Sequence, residues 1–311
     1  MNKNKQTNNQ NLSNKYNKEY LQNLRVSLKK SINKKYLVFN GGGIKGICFL
    51  GVLQYLIDTD NIKDFNVFVG TSVSSMILFL YLIGYIPQDL LYFVLNYNFN
   101  EFQQLEIDNL FINYGLNNGE VIKKILTTFI KSKNLSIDIT FKELYDLTHK
   151  LLIITGTNIT KKQGEYFSFL TTPDMKLIDA IRISTSIPFY FTPYKYNNNY
   201  YIDGSCTNDL AVNSLYTQPF LNFILKNDTF DNIKNNIFSV YLDDINNGFS
   251  NLLEYSFNVL NVLEQNNIDF NNITLIIDTK NIKAFNFSLD NKIKNKLYNI
   301  GYDSIYNKYK N

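Results

Sequence analysis

Residues 36–50 read YLVFNGGGIKGICFL, so an apolar run meets three consecutive glycines and then a second apolar run. Four consecutive apolar residues at 36–39 predict a buried strand of a parallel sheet. The apolar residues that follow Gly46 predict a helix over 47–57. Glycines this dense cost backbone entropy, so the turn between strand and helix needs a physical reason. The candidates are a cradle for phosphates, an anion hole for catalysis, and a tight turn.

Further strands and helices are predicted on both sides of this unit. Apolar runs predict strands at 65–70, 150–159, 165–170, 200–203, 237–244 and 273–278. Helical patterns are found at 73–86 before Pro87, at 177–184, and over most of 88–150, with a turn at 113–120. The alternation predicts a layered α/β fold, in which helices flank a central, mainly parallel sheet.

Composition divides the chain of 311 residues into a tail and one domain. Residues 1–34 are rich in Asn and Lys and are predicted to form a basic, largely disordered tail. Residues 35–311 are predicted to form one domain with a motif core at about 35–213. The tail is either a solvated segment or a weak anchor for anionic membrane surfaces. A net charge of +4 does not favour a nucleic-acid partner, which requires a concentrated basic face.

The chain shows no pattern that would insert it into a membrane. The first eighteen residues lack the apolar core of a signal peptide. Residues 67–86 have the length of a membrane span, but small and polar residues at 70–75 leave an apolar part that is too short. Two cysteines, Cys48 and Cys206, make no disulfide framework. We therefore expect an intracellular protein, soluble or peripherally membrane-associated, without a signal peptide or transmembrane span.

The glycines of the opening stretch fit a nucleotide site only in part. Gly41, Gly43 and Gly46 satisfy the dinucleotide fingerprint G-x-G-x-x-G between a strand and a helix. That fingerprint also requires an acidic residue at the end of the next strand, where this chain has Gly-Thr-Ser at 70–72. A P-loop fails too, because Ile47 follows the last glycine. What remains is a turn whose N–H groups stabilise negative charge, such as the charge on a carbonyl oxygen during acyl transfer.

The second predicted strand ends in a turn that suits a nucleophile. Residues 70–74 read GTSVS, between an apolar strand and an apolar helix. The pattern G-x-S-x-G at such a place is a nucleophile elbow, which holds a serine in a strained turn with its hydroxyl exposed. Here Ser74 takes the place of the last glycine. The alternative is that Ser72 is an ordinary helix N-cap.

A serine nucleophile needs a base, and the choice is narrow. The chain has one histidine, His149, at the end of a predicted helix that runs into a strand, where a capping or surface role is favoured. The best carboxylate candidate is Asp203, followed by Gly204 at the end of an apolar strand. The alternative for this pair is a plain Asp-Gly turn.

Taken together, the three motifs resemble the patatin-like phospholipase family in order and spacing. They are GGGIKG at 41–46, GTSVS at 70–74 and Asp-Gly at 203–204. Residues 180–194, AIRISTSIPFYFTPY, resemble the stretch before the family's catalytic aspartate. Residues 148–158, THKLLIITGTN, resemble its central strand, where histidine has no catalytic part.

The resemblance covers about 35–213 and, more loosely, the rest of the chain. It implies an esterase that acts on phospholipids or other acyl lipids at a membrane surface, through a Ser–Asp dyad and without a metal or organic cofactor. By position, Ser72 matches the nucleophile and Asp203 the base. The implied oxyanion hole consists of Gly41, Gly42 and Gly43. The residues implied to support these motifs are Gly46, Gly70, Ser74 and Gly204.

Two departures from the family pattern keep alternatives open. Asn40 stands where an aspartate often precedes the glycines, and Ser74 replaces the final glycine of the elbow. The serine at 74 leaves open a catalytically weak or inactive lipid-binding relative. Independently of these departures, the glycine pattern at 41–46 leaves open a nucleotide-binding protein. Arg182, one of two arginines, either contacts a lipid phosphate or forms an ion pair within the fold, which the sequence favours.

Overall fold

The computed structural model describes residues 31–243, 274–279, 282–284 and 286–310. The strands are β1 Tyr36–Phe39, β2 Val67–Gly70, β3 Gly115–Asn117, β4 Leu151–Asn158, β5 Gln163–Phe167, β6 Phe189–Phe191, β7 Tyr194–Tyr196, β8 Asn199–Asp203, β9 Ile237–Asp243 and β10 Thr274–Asp278. The α-helices are α1 Ile47–Asp58, α2 Val73–Leu82, α3 Pro87–Asn96, α4 Ile107–Asn113, α5 Glu120–Ser132, α6 Phe141–Thr148, α7 Leu177–Ser184, α8 Ser205–Asn208, α9 Phe220–Ile224, α10 Phe230–Asn236 and α11 Asn291–Tyr309. Short 3₁₀ helices span Gly43–Gly46, Ile62–Asp64, Phe99–Gln103 and Ala211–Tyr216.

A mainly parallel sheet forms the centre of the described residues. Its order is β10-β9-β1-β2-β4-β8-β7, and β5 also pairs with β4. The first five strands in this order are parallel, whereas β8, β7 and β5 pair antiparallel with their neighbours. The strands β3 and β6 form a separate parallel pair. The mainly parallel sheet predicted from the sequence is therefore confirmed.

Helices cover both faces of this sheet, as the fully apolar strands require. In β1, Leu37 and Phe39 point into a core shared with α1 and α2, and Val38 points into a second core on the other face. That second core is closed by the Ala211–Tyr216 turn, α9 and α10. The last helix, α11, packs closely on α1, where a side chain at Gly51 or Gly301 would collide with the facing backbone.

Most predicted elements are found, with a few differences at their boundaries. The helix predicted at 73–86 ends at Leu82, because Gly84 follows with a left-handed φ of 93°. Pro87 does not end that helix but begins α3, where its missing N–H costs nothing. The turn predicted at 113–120 contains the short strand β3. The strand predicted at 165–170 lies earlier, as β5.

The boundary between tail and domain also needs correction. Residues 1–30 of the predicted tail lie outside the described residues. Ile32, however, is buried in the core, and its N–H donates to the side chain of Asn61 at 2.8 Å. The domain therefore begins no later than Ile32, rather than at 35. Among the helices described, none is long and apolar enough to cross a bilayer.

Candidate active site

The sheet topology brings the three predicted motifs to one edge. The glycine loop follows β1 and the serine turn follows β2, so both lie at the carboxyl ends of adjacent parallel strands. β2 also pairs with β4, and Gly70 lies opposite Ile154. Two residues further along β4, Gly156 pairs with Asp203, the last residue of β8. The crevice at this edge is the usual ligand position in parallel α/β sheets.

Ser72 has the backbone conformation of a nucleophile elbow. Its φ is 56° and its ψ is −128°, a left-handed combination that is strained for any residue other than glycine. The N–H of Ser72 donates to Oγ of Ser184 at 2.9 Å, and its carbonyl accepts from the N–H and hydroxyl of Ser75. Ser72 occupies the N-cap position of α2, but its hydroxyl makes no capping bond. The ordinary N-cap alternative therefore does not hold.

The hydroxyl of Ser72 is instead directed at a buried carboxylate. Its Oγ donates to Oδ2 of Asp203 at 2.7 Å. Asp203 is 1% exposed, and its other oxygen, Oδ1, accepts from the N–H of Ser205 at 2.9 Å and from the hydroxyl of Ser205 at 2.8 Å. Ser205 thereby fixes the carboxylate while one oxygen faces the serine. The structure thus brings together the serine and the aspartate that the sequence predicted as a pair.

Burial sets the proton affinity of this carboxylate. Desolvation raises the pKa of Asp203 to about 7, and the charge of nearby Asp209 acts in the same direction. Hydrogen bonds from Ser72 and Ser205 oppose the rise in pKa without cancelling it. A carboxylate that titrates near neutral pH is a better proton acceptor than an exposed one, and it is still partly ionised at that pH.

His149 lies away from this edge of the sheet. It ends α6 as the C-cap, with a left-handed φ of 53°, and its side chain is exposed. It stands two residues before β4 begins, at the amino end of that strand, whereas Ser72 follows the carboxyl end of β2. The capping or surface role predicted for His149 is confirmed.

The glycine loop presents backbone N–H groups beside Ser72. The N–H of Gly41 is occupied, because it donates to Oδ1 of Asp209 at 2.7 Å. The next two, those of Gly42 and Gly43, donate to no group within the described part of the chain, and both glycines line a pocket that contains Ser72. Gly43 has a left-handed φ of 54°, and a side chain there would collide with the carbonyl of Ala284.

The predicted supporting glycines allow close packing under the site. A Cβ at Gly46 would lie 2.7 Å from Cγ1 of Val73, so glycine lets the loop approach the first residue of α2. A Cβ at Gly70 would lie 2.7 Å from the N–H nitrogen of Ser75, and one at Gly204 would collide with Thr155. Each contact keeps the loop, the elbow and the aspartate turn near one another.

Ser74 fits the elbow in place of the expected glycine. Its buried hydroxyl accepts from the N–H of Thr71 at 2.9 Å and lies 2.8 Å from the carbonyl of Thr71. The same hydroxyl lies 3.1 Å from the carbonyl of Phe39, the last residue of β1. The extra side chain therefore ties the elbow to the strand that carries the glycine loop.

Two pockets meet at Ser72. The apolar cavity has a volume of about 130 Å³, and Gly43 and Ser72 are part of its lining. Its walls are mostly aliphatic and aromatic and include Met76, Leu80, Phe93, Phe102, Ile125 and Phe191. The polar pocket, of about 40 Å³, shares Gly43, Ser72 and Ile187 with the cavity and adds Asp203 and Asp209. The serine hydroxyl thus lies between an apolar and a polar compartment.

Arg182 takes neither of its two expected roles. It is buried, so it does not face a lipid phosphate, and no ion pair joins it to a carboxylate among the described residues. Its guanidinium donates to Oγ of Ser186 at 2.6 Å and to the carbonyl of Asn118 at 2.8 Å. Burial lowers the pKa of Arg182 to about 10. The expected ion pair is wrong because neutral oxygens provide its contacts.

Sequence reasoning did not identify three residues that support the site. Ser205 follows Asp203 by two positions, a spacing at which an aspartate side chain accepts from the backbone, so the Asp-Gly-Ser string contained a signal. No sequence pattern marks Ser184 or Asp209, because their contacts join segments that are distant in the sequence.

Comparison with known proteins supports the resemblance. The sequence profile of the family described as patatin-like phospholipase matches residues 37–216. The chain is 37% identical over 190 residues to Probable lipid hydrolase 463L of Invertebrate iridescent virus 6, which covers 58% of this chain and 64% of the viral protein. It is 28% identical over 224 residues to Triacylglycerol lipase 4 of Saccharomyces cerevisiae, which covers 63% of this chain and 24% of the yeast protein. The chain thus spans less than two thirds of the length of either relative.

A solved structure shares the fold. The crystal structure of VipD from Legionella pneumophila superimposes with a TM-score of 0.55 at 17% sequence identity, over 89% of this chain and 67% of VipD. The family match covers more than half of the chain and includes the glycine loop, the elbow and Asp203. The chain therefore belongs to the patatin-like phospholipase family.

Proposed function

We propose that this protein is a lipid acyl hydrolase in which Ser72 is the nucleophile and Asp203 is the general base. The observation that carries the proposal is the 2.7 Å hydrogen bond from Oγ of Ser72 to Oδ2 of Asp203, at the junction of the apolar cavity and the polar pocket. Family membership and the names of the lipid hydrolase and lipase relatives support the same reaction class.

In the first half-reaction, Oδ2 of Asp203 accepts the hydroxyl proton as Oγ of Ser72 attacks the ester carbonyl. The carbonyl oxygen becomes an oxyanion that accepts hydrogen bonds from the N–H groups of Gly42 and Gly43. We leave Gly41 out of this oxyanion hole, because its N–H donates to Asp209. The positive end of the α2 dipole also favours the negative charge that develops at Ser72. The tetrahedral intermediate collapses, and the alcohol leaves with the proton held by Asp203.

In the second half-reaction, Asp203 acts again as the base. It accepts a proton from a water molecule in the polar pocket, and the water oxygen attacks the carbonyl of the acyl-enzyme. The bond between the acyl carbon and Oγ then breaks, and Ser72 regains its proton from Asp203. A fatty acid and the regenerated dyad result. The same two N–H groups stabilise both oxyanions, a contribution typically of about 10² to 10³ in turnover for each donor.

The two pockets suggest how the substrate lies. The acyl chain of a substrate would fill the apolar cavity, because moving its apolar surface from water to these aliphatic and aromatic walls is favourable. The alcohol portion and the attacking water would then occupy the polar pocket beside Asp203. This arrangement suits a phospholipid or another acyl lipid and leaves the head group unspecified.

We also propose that the helix α4 meets the lipid surface. Ile107, Phe111, Ile112 and Tyr114 lie on or directly after this helix and are between 68% and 77% exposed. The preceding turn, Phe99–Gln103, contributes Phe99 and Phe102 to the wall of the apolar cavity. An exposed apolar cluster is costly in water and marks an interaction surface. Its continuity with the cavity wall favours a lipid surface over other partners.

Product analysis tests the proposed function. Vesicles and emulsions that contain phosphatidylcholine, lysophosphatidylcholine and triacylglycerol are incubated with the wild type and with Ser72→Ala, and fatty acids are measured by mass spectrometry. We expect release by the wild type and almost none by the variant. Labelling with a fluorophosphonate separates the inactive lipid-binding alternative, which would bind vesicles without reacting at Ser72. Equal release by the two proteins, or no release from any lipid, overturns the proposal.

A further inference from the structure

A second carboxylate, Asp209, lies beside the glycine loop, and the proposed reaction does not use it. Its Oδ1 accepts the N–H of Gly41 at 2.7 Å, and its Oδ2 accepts Nδ2 of Asn40 at 2.9 Å. Asn40 is buried, and Asp209 lines the polar pocket together with Ser72 and Asp203. Both oxygens of this carboxylate are thus bonded to the two residues that lead from β1 into the loop.

We propose that Asp209 is a positioning residue, which holds the glycine loop against Ser72 through an amide–carboxylate pair with Asn40. This inference rests on the proposed function, since it concerns the oxyanion donors of that reaction. Its consequence is specific: the pair must contain one amide and one carboxylate, but either position can carry either group.

The environment of Asn40 fixes which way its amide faces. Its Oδ1 accepts the N–H of Leu242 at 2.9 Å, and its own N–H donates to the carbonyl of Val240 at 3.3 Å. Both partners belong to β9, so the side chain of Asn40 spans from that strand to Asp209. Because Oδ1 is committed to Leu242, only the Nδ2 donor is left for Asp209.

Gly41 transmits the position of Asp209 to the nucleophile. A Cβ at Gly41 would lie 2.8 Å from Oδ1 of Asp209 and 3.4 Å from Cβ of Ser72, so this glycine is packed between the two. A shift of Gly41 toward or away from Asp209 therefore changes the distance of the next two N–H groups from the oxyanion. Misplacement by about 1 Å in an active site can cost about 10²-fold in rate.

Counting donors and acceptors predicts the effect of exchanging the two groups. In Asp209→Asn, Gly41 and Asn40 both still donate, but the new amide has only one oxygen to accept their hydrogen bonds. If that oxygen accepts from Gly41, the NH₂ group of the new amide faces the NH₂ group of Asn40, and two donors are left without an acceptor. In Asn40→Asp, two carboxylates face each other. In the double exchange, the aspartate at 40 accepts from Leu242 and from the new amide at 209, whose oxygen accepts from Gly41. The double variant therefore keeps these three hydrogen bonds and one negative charge in the pair.

The test is a double-mutant cycle of these two substitutions. kcat and KM for a soluble short-chain ester are measured beside the melting temperature. We expect each single variant to lose at least about 10-fold in kcat, with KM changed by less than about threefold, since the loop stabilises the transition state. The double variant should recover to within about threefold of the wild type. Non-additivity of this kind is the signature of two residues in contact.

A matched control separates positioning from stability. Asp228 is another carboxylate with little exposure, bonded to Tyr36 and Asn236 at the amino end of β1, away from the loop. Asp228→Asn should lower the melting temperature and leave kcat of the folded protein unchanged. Single variants at 40 and 209 that lose only melting temperature, or a folded double variant that stays as slow as the singles, overturn the positioning role. An inactive wild type instead overturns the proposed function, and with it this role.

Discussion

Ser72 and Asp203 are separated by 131 residues, yet Oγ of Ser72 donates a hydrogen bond of 2.7 Å to Oδ2 of Asp203. The contact exists because β4 lies between β2 and β8 in the sheet and pairs with both. The parallel partner of β4 is β2, which ends two residues before Ser72. Its antiparallel partner is β8, whose last residue is Asp203. Both side chains are buried, so the proton affinity of the carboxylate depends on its protein environment rather than on bulk water.

Hydrolysis should depend on pH through Asp203. Burial raises the pKa of this carboxyl to about 7, and as the proposed base it must be ionised to accept the proton of Ser72. We therefore expect kcat/KM for a neutral soluble ester to rise about tenfold per pH unit below about pH 7 and to level off above it. The check is a kcat/KM profile between pH 5 and 9. A profile that is flat from pH 5 to 8 would contradict this assignment.

The same shift predicts that Asp203 lowers the stability of the folded protein. Its pKa is 3.8 when unfolded and about 7 when folded, so the folded state binds the proton more tightly over this interval. The free energy of unfolding therefore falls as pH rises from about 4 to about 7. Asparagine does not ionise, so the free energy of unfolding of Asp203→Asn should not fall in this way. We expect it to exceed that of the wild type by on the order of 2–4 kcal/mol at pH 8, but not at pH 4.

Urea unfolding at pH 4 and pH 8 measures this difference. Asparagine suits the position, because its oxygen can accept from Ser205 and its amide can donate to Ser72. A stability gain for Asp203→Asn that is the same at both pH values would show that ionisation is not its cause.

Ser74→Gly restores the usual residue of the elbow and should nonetheless harm this protein. The Ser74 hydroxyl accepts the buried N–H of Thr71, which would lose its partner, and the link to Phe39 would also be lost. We expect a loss of about 1–3 kcal/mol in the free energy of unfolding, with turnover no higher than in the wild type. Ser74→Thr, which keeps a hydroxyl, is the companion variant. Faster turnover in Ser74→Gly at unchanged stability would show that the serine impairs catalysis.

Activity at a lipid surface should depend on α4. Phe111→Ser/Ile112→Ser removes two exposed apolar side chains that contribute nothing to the described core. We expect at least a ~10-fold loss of fatty-acid release from phosphatidylcholine vesicles, since each exposed aromatic or aliphatic side chain gains about 1.5–3 kcal/mol on full burial. Hydrolysis of a soluble short-chain ester should change by less than about twofold.

A control variant removes two exposed apolar side chains elsewhere on the surface. Leu147 and Phe230 are 58% and 57% exposed, and they lie on α6 and α10, outside the walls of both pockets. Leu147→Ser/Phe230→Ser should keep the activity on vesicles. Equal losses in the two double variants would mean that non-specific adsorption through exposed apolar side chains, rather than a docking surface at α4, binds the protein to lipid.

The sequence predicts the fold well where local pattern and tertiary position agree. The apolar run of β1, the glycines after it and the apolar helix α1 all indicate the same buried parallel unit, and their bounds are found within a residue. The prediction fails at 73–86, where Pro87 suggests the end of one helix but begins the next. A proline at the first helical position and a proline after a helix look alike in the sequence.

The site shows what a single sequence cannot supply. The motifs at Ser72 and Asp203 are visible in the sequence because each combines a strand end with small residues. The order and spacing of the motifs resemble those of the family, and this resemblance predicts that Ser72 and Asp203 act as a pair. The bonds that orient them are different: Ser184 and Asp209 meet the site across 112 and 168 residues, respectively. The environment of Arg182 is not predictable from the sequence for a similar reason, since its carbonyl partners, Asn118 and Thr192, lie in loops that the chain pattern does not bring together.

The most direct test of the dyad is the initial rate of ester hydrolysis in five proteins: the wild type, Ser72→Ala, Asp203→Asn, the double variant of these two, and His149→Ala. The Ser72→Ala and Asp203→Asn proteins should each lose at least ~10²-fold, and the double variant should lose little more, because a nucleophile and its base act as a unit. His149→Ala should keep most of the activity, since His149 caps α6 at the opposite edge of the sheet. An Asp203→Asn protein that hydrolyses at the wild-type rate, or a His149→Ala protein as slow as Ser72→Ala, would contradict the Ser72–Asp203 dyad.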